Sequence, residues 1–146
     1  MNNQNYSRTW LVADAPAIIF QKILDVRGWW SGLYSEKIEG SADKLGDEFD
    51  FLAGDGLHYS RQKLVELILN QKIVWLVTES KLSFIEKKDE WTGSKLCFEF
   101  AEKGNETEVR FTHEGLVPEI ECYEACSNGW SAYLEKFLSP LVNVAI

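Results

Sequence analysis

EIECYEACSNGWSAYLEKFL, residues 119–138, is the stretch that decides how this chain folds. Set out at about 100° per residue, Ile120, Cys122, Tyr123, Cys126, Trp130, Tyr133, Leu134, Phe137 and Leu138 fall within an arc of roughly 160°. Glu121, Glu124, Asn128, Ser131, Glu135 and Lys136 occupy the opposite arc. Pro118 stands just before the run, and Glu119 and Glu121 lie where the positive end of a helix dipole favours carboxylates. The spacing predicts a long helix over residues 119–138 with one greasy face, and such a face needs a large apolar partner.

The rest of the chain supplies that partner. Residues 6–13 read as a first strand. Asp14-Ala15-Pro16 then changes the period, with Asp14 as a candidate N-cap and Pro16 in the first turn. Ile18, Ile19, Phe20, Ile23 and Leu24 continue at helical spacing, and the helix is expected to stop near Gly28. Trp29-Trp30-Ser31-Gly32 reads as a short second turn or helix. From Glu36 onward the period becomes two. Phe49 and Phe51 alternate with Glu48 and Asp50. Gly54-Asp55-Gly56 is a hairpin turn. A long segment follows over residues 57–69, Asn70-Gln71 breaks it, and residues 72–78 read as a more buried strand. Leu96, Phe98 and Phe100 form one face of the next strand; Val109, Phe111 and His113 form one face of the last. The fold class is therefore α+β: a curved antiparallel sheet of about seven strands gripping a long C-terminal helix, with one or two short helices after the first strand. No Pro/Gly/Ser-rich linker divides residues 1–146, which read as a single domain.

Charge and composition narrow the function. Twenty-three acidic residues outnumber 15 basic ones, and the formal net charge is −8. Nucleic-acid binding requires clustered Lys and Arg, so no nucleic-acid partner is expected. An anionic membrane surface is disfavoured for the same reason. The longest clean apolar run, residues 73–77, is too short to span a bilayer. The polar residues 1–9 lack a signal core, so a cytoplasmic location is expected. The three cysteines, Cys97, Cys122 and Cys126, are expected as reduced thiols.

The order of elements resembles the START-like superfamily, also called SRPBCC or helix-grip, in which a bent seven-stranded sheet grips the last helix around a cavity. More narrowly it resembles the bacterial branch similar to the C-terminal domain of activators of the heat-shock-protein ATPase. Asp14-Ala15-Pro16 followed by a helix and Trp29-Trp30 is typical of that group. Asp89-Glu90-Trp91-Thr92-Gly93, Phe111-Thr112-His113-Glu114-Gly115-Leu116-Val117-Pro118 and Glu121-Cys122-Tyr123-Glu124-Ala125-Cys126-Ser127-Asn128-Gly129-Trp130 resemble the signature of a small subgroup within it. Those activators carry a separate N-terminal domain that makes much of the chaperone contact. Residues 1–146 show no counterpart, so the resemblance implies the fold more strongly than a chaperone partner.

Six Trp, five Tyr and eight Phe call for either a thick core or a walled cavity. Trp29, Trp30, Phe49, Phe51, Trp75, Trp91, Phe98, Phe100, Phe111, His113, Tyr123 and Trp130 are the candidates to face the space between sheet and helix. As pocket walls they would receive a small hydrophobic or aromatic molecule; as plain core they would simply leave water. By strand parity His113 points inward, either as a polar anchor or acid/base, or as an interior histidine bonded to a backbone carbonyl or to a helix residue such as Tyr123. It is the one candidate catalytic residue, and the chain is read as a binding protein before an enzyme. His58, after the turn, is placed at the surface or a pocket rim. Glu90 and Glu121 could pair near His113 or be solvated. Cys122 and Cys126 have i, i+4 spacing, and Cys97 has outward parity. Zinc sites need four ligands at recognisable spacing, so no metal is expected. With no phosphate loop or nucleophile elbow, no cofactor is expected either. A homodimer through an exposed edge stays open, and so does a protein-interaction role.

Overall fold

The computed structural model describes residues 5–30, 33, 35–54 and 57–141. β1 (Tyr6–Val12) leads into α1 (Pro16–Leu24) and α2 (Val26–Trp29). Six strands follow: β2 (Lys37–Gly40), β3 (Glu48–Ala53), β4 (His58–Ile68), β5 (Lys72–Leu82), β6 (Lys95–Lys103) and β7 (Glu106–Glu114). The chain then forms α3 (Tyr123–Leu138) and a 3-10 turn (Ser139–Leu141). All pairings are antiparallel, in the order β1-β7-β6-β5-β4-β3-β2, so β2 to β7 form a meander and β1 returns beside β7. This is the seven-stranded, helix-gripping architecture that the sequence implies.

The alternation along each strand explains the layers. Phe49, Phe51, Phe98, Phe111 and His113 are all buried, while Glu48, Glu99 and Glu114 face water. Register shifts between Arg61 and Gln62 and between Leu64 and Glu66 break the β4–β5 ladder; such irregularities bend and twist the strands that carry them. The concave face thus cups α3, from which Cys126, Trp130, Tyr133, Leu134 and Leu138 are buried.

The structure shifts several sequence-based boundaries, each for a local reason. Pro16 opens α1 as expected, but the N-cap is Ala15 and makes no side-chain cap. The Asp14 carboxylate instead binds Lys22 Nζ at 2.8 Å, and its carbonyl accepts the Thr107 hydroxyl. α1 ends at Leu24 rather than near Gly28, and a separate turn of helix carries Trp29 to the core. β5 runs to Leu82, beyond the residue 78 expected. Ser31 and Gly32, and Asp55 and Gly56 of the expected hairpin turn, lie outside the described residues.

The largest correction concerns α3, which begins at Tyr123 and not at 119. Residues 117–123 form tight turns, with Ile120 N–H bonded to the Val117 carbonyl and Tyr123 N–H to the Ile120 carbonyl. The amides of this approach find their partners in the β5–β6 loop. Glu90 accepts the N–H groups of Glu121 (2.7 Å) and Cys122 (3.0 Å). Glu121 in return accepts the N–H groups of Glu86 (3.1 Å) and Lys87 (3.4 Å). Each carboxylate satisfies backbone donors of the other segment, a capping arrangement assembled across about thirty residues rather than within one turn. The two acids, read in the sequence as a pair near His113 or as solvated charges, thus each accept backbone N–H groups of the other's segment.

Trp130 is packed into the helix–sheet seam. Its ring lies 4.6 Å from Phe111, 5.0 Å from Trp30 and 6.0 Å from the parallel ring of Trp91. Trp130→Ala is expected to destabilise the domain by about 3–5 kcal/mol through lost burial and the hole left behind. A urea midpoint equal to that of the parent protein would refute this placement. Glu90→Ala is expected to cost about 0.5–2 kcal/mol, the usual range for a lost helix cap. Its signature is faster hydrogen exchange at the Glu121 and Cys122 amides, and unchanged exchange there would contradict the clamp.

Candidate functional site

The middle of the seam is filled. Trp29, Trp30, Phe49, Phe51, Trp75, Phe98, Phe111, His113 and Trp130 are each no more than 2% exposed. Trp29 stacks on Trp30 and donates its N–H to the Ile23 carbonyl at 2.7 Å. Trp75 bonds the Ala42 carbonyl at 3.3 Å, and Phe100 packs edge-on against Phe20 of α1. Tyr123 is only half-buried, at the start of α3.

His113 sits at the bottom of this layer with both ring nitrogens engaged. Trp130 Nε1 donates to Nδ1 at 3.0 Å, and Nε2 lies 2.8 Å from Ser94 Oγ. An indole N–H can only donate, so Nδ1 is the acceptor and the proton resides on Nε2. Nε2–H then donates to Ser94 Oγ, whose own hydrogen goes to the Trp91 carbonyl at 2.6 Å. The chain of donors runs one way, from helix to loop, with no position left over. Its partners are Ser94 and Trp130; the second is a helix residue, as the sequence reading allowed, although it is not Tyr123. Burial drives the imidazole pKa down to about 3. To act as an acid or base His113 would first have to break one of these bonds.

Open space appears at one end of the seam instead. A cleft of about 240 Å³ lies between the β3–β4 turn, the β5–β6 loop and the first turns of α3. Trp30, Phe51, Trp91 and Trp130 line it, so four of the twelve sequence candidates meet there. Joining them are Ala53, Gly54, Leu57, His58 and Phe84 from the sheet end, and Ala125, Cys126, Gly129 and Tyr133 from the helix. Phe49, Trp75, Phe98, Phe100, Phe111, His113, Trp29 and Tyr123 do not line it. Periodicity could not have found Ala125 and Gly129, because what they contribute is missing volume. A Cβ placed on Gly129 would meet nothing within 4 Å. Phe84 and Leu57 are exposed at the lip and joined by the Ser83 N–H bond to the Leu57 carbonyl.

His58, expected at the surface or a pocket rim, is half-buried and lines the cleft wall. Its ring meets Trp91 edge-on at 4.5 Å and Phe51 at 5.6 Å, and stacks near Phe84 at 6.2 Å. Burial lowers its pKa to about 4. Tyr133 donates its hydroxyl to Glu36, which holds the segment before β2 against α3. Trp91 donates its N–H to Cys122 Sγ at 3.2 Å. Cys126 and this indole N–H hold the Cys122 thiol below the ordinary cysteine value, against the effect of burial. The same contact, with burial, pushes the Cys126 thiol up. Cys97 has the outward parity expected, yet it is buried and donates to Glu114 at 3.2 Å; burial and that carboxylate push its pKa to about 12. Among the described residues no group of three or more His, Cys, Asp or Glu converges on a metal position, and no helix is long and apolar enough to cross a membrane.

The two histidines make stability depend on pH with a definite sign. The unfolded chain takes up a proton on each near pH 6.5, whereas the folded protein resists until about 4 at His58 and 3 at His113. In that window the unfolded state binds more protons, so stability is complete above about pH 6.5 and is lost as pH falls toward the folded values. The slope reaches about 1.4 kcal/mol per pH unit for each ring. Urea midpoints should therefore fall between pH 7 and pH 5. A flat profile over that range would mean that both rings titrate as they do in the unfolded chain.

Comparison with known proteins agrees with this architecture. The "Aha1 dimer" of Colwellia psychrerythraea, solved in solution, is 21% identical and superposes with a TM-score of 0.69 over 94% of this chain and 95% of that one. Protein CV1439 of Chromobacterium violaceum is 15% identical, with a TM-score of 0.71 over 97% and 99% of the two chains. PFC0360w, described as an HSP90 activator from Plasmodium falciparum, is 21% identical, with a TM-score of 0.59 over 92% and 95%. At these identities the likeness speaks for the fold alone. A search of curated proteins finds no match. The family model "Activator of Hsp90 ATPase homolog 1-like protein" matches residues 24–141. The chain, a START-like helix-grip domain, therefore belongs to the activator of Hsp90 ATPase homolog 1-like family.

Proposed function

We propose that this domain is a non-catalytic binding module for a small apolar or aromatic molecule, held in the cleft at the end of the helix–sheet seam. The observation that carries this reading is the pairing of aromatic walls with small residues. Trp30, Phe51, Phe84 and Trp91 stand around a gap that Ala125 and Gly129 leave open on α3. Ligand sites are mostly apolar walls with a few placed polar groups, and drug-sized ones span roughly 300–1,000 Å³. A cleft of about 240 Å³ is smaller than that and suits one or two rings. A closed apolar cavity of roughly 150 Å³ already takes benzene. The twelve aromatic and histidine candidates divide accordingly: four wall the ligand, and Trp29, Phe49, Phe111 and His113 pack directly against those four.

Gly129→Leu tests this reading. Glycine inside a helix is less favourable than alanine by roughly 0.5–1 kcal/mol, so a side chain there should not weaken α3. A Cβ at this position meets no other atom within 4 Å, and Gly129 lines the cleft. The variant is expected to keep or raise its unfolding midpoint and to lose binding of naphthalene, followed by chemical-shift titration, by at least about tenfold. Equal binding by parent and variant would remove the cleft as the site.

Family membership favours a second reading, an accessory role toward an Hsp90-type ATPase, with self-association as in the dimeric Colwellia relative. Its test is stimulation of the ATPase turnover by the purified domain, alongside a sedimentation measurement of its own mass. Absence of both stimulation and complex formation would dismiss the chaperone partner.

A further inference from the structure

We infer that Cys122 and Cys126 form a two-thiolate site for a soft monovalent cation, copper(I) in kind, at the wall of the cleft. The inference does not rest on an organic occupant of the cleft. The observation behind it is a pair of thiols in contact. The Cys126 N–H bonds to the Cys122 carbonyl at 2.8 Å, which closes the first turn of α3 and puts the two side chains on one face. Residues so spaced have Cβ atoms about 5–6 Å apart. Here the two side chains also hydrogen-bond to each other through their sulfurs.

The pair is already arranged around a charge. Two donors point at Cys122 Sγ: the Trp91 N–H, at 3.2 Å, and the Cys126 thiol. The same residue opens a helix of 16 residues, whose dipole favours an anion at that end. The Glu90 carboxylate, which accepts the Cys122 N–H at 3.0 Å, acts the other way, yet the thiol stays below its ordinary value. The proton that Cys126 holds between the two sulfurs stands where a cation would. Cys122 is closed off from solvent, but Cys126 and Trp91 line the cleft, which gives a bare ion a path to the pair.

Chemistry selects the ion. Thiolate sulfur is a soft ligand and favours copper(I), zinc and iron–sulfur clusters. Zinc and the clusters are held by sets of about four ligands, which is why the sequence predicts no zinc. Copper(I) is satisfied by two sulfurs side by side. Binding is an exchange without oxidation: two S–H bonds break, two S–Cu bonds form, and two protons pass to solvent. The product carries one net negative charge, and the Trp91 N–H stays in place to stabilise it.

The test is a competition for copper(I), under anaerobic reducing conditions, between the protein and the chromophoric chelator bicinchoninate. The parent protein is expected to draw one equivalent of copper from the chelator. Cys122→Ser and Cys126→Ser should each weaken binding by at least about a hundredfold, beyond the loss typical of an outer-shell partner. Cys97→Ser, which changes a thiol on β6 bonded to Glu114, should bind as the parent does. X-ray absorption of the copper-loaded parent should show two sulfur neighbours, and the Trp91 indole N–H resonance should shift. Failure of the parent to take copper, equal binding by the Cys122→Ser/Cys126→Ser double variant, a comparable loss in Cys97→Ser, or nitrogen and oxygen neighbours in place of sulfur would overturn the site. Should the serine variants not fold, X-ray absorption and the Trp91 resonance of the parent decide. Naphthalene binding to the metal-free protein bears on the cleft reading alone, so the two can fail separately.

Discussion

The hydrogen bond from Trp130 Nε1 to His113 Nδ1 is the contact on which the rest of the structure turns. It joins the middle of α3 to the concave face of β7 at a point where neither group meets water. Apolar packing could seat the helix at several depths and rotations, since burial is proportional to area and has little direction. A single donor facing a single acceptor in an apolar interior selects one of them, because every other seating leaves both atoms unsatisfied. The donor chain continues through Ser94 to the Trp91 carbonyl, so the same interaction also fixes the β5–β6 loop.

That loop is held from a second side. Glu90 and Glu121 exchange backbone amides between the loop and the approach to α3. The two devices bracket Trp91, which lies parallel to Trp130 and meets His58 and His113 edge-on. A wall fixed this firmly can face open space without collapsing into it. The cleft is therefore best understood as the gap left where the aromatic layer ends and α3 presents Ala125 and Gly129 in place of large side chains. Rigidity of this kind lowers the ordering cost of binding, which is why preorganised sites favour small ligands.

Within the family, the same grip of sheet on helix is compatible with different uses, because function resides in the site and not in the fold. The aromatic layer of this member is tightly filled by rings, and an apolar cleft opens at its end, next to two exposed apolar residues, Leu57 and Phe84. A small molecule and a protein surface would both meet this end first.

Amphipathic spacing alone established the long C-terminal helix, the inward parity of Phe49, Phe51, Phe98, Phe111 and His113, and the meander of strands. These follow from local periodicity, which each segment carries in itself. The true start of α3 at Tyr123 was not legible, because its amides are capped by Glu90 from another element. Nor were the partners of His113, the burial of Cys97 on the nominally wet face, or the change of Asp14 from cap to ion pair. The cleft was the least legible feature of all. Sequence names the side chains that could wall a pocket, but a pocket is volume that no side chain fills. Only the packing of segments distant along the chain decided that this volume falls beside Gly129 and His58 and not in the middle of the seam.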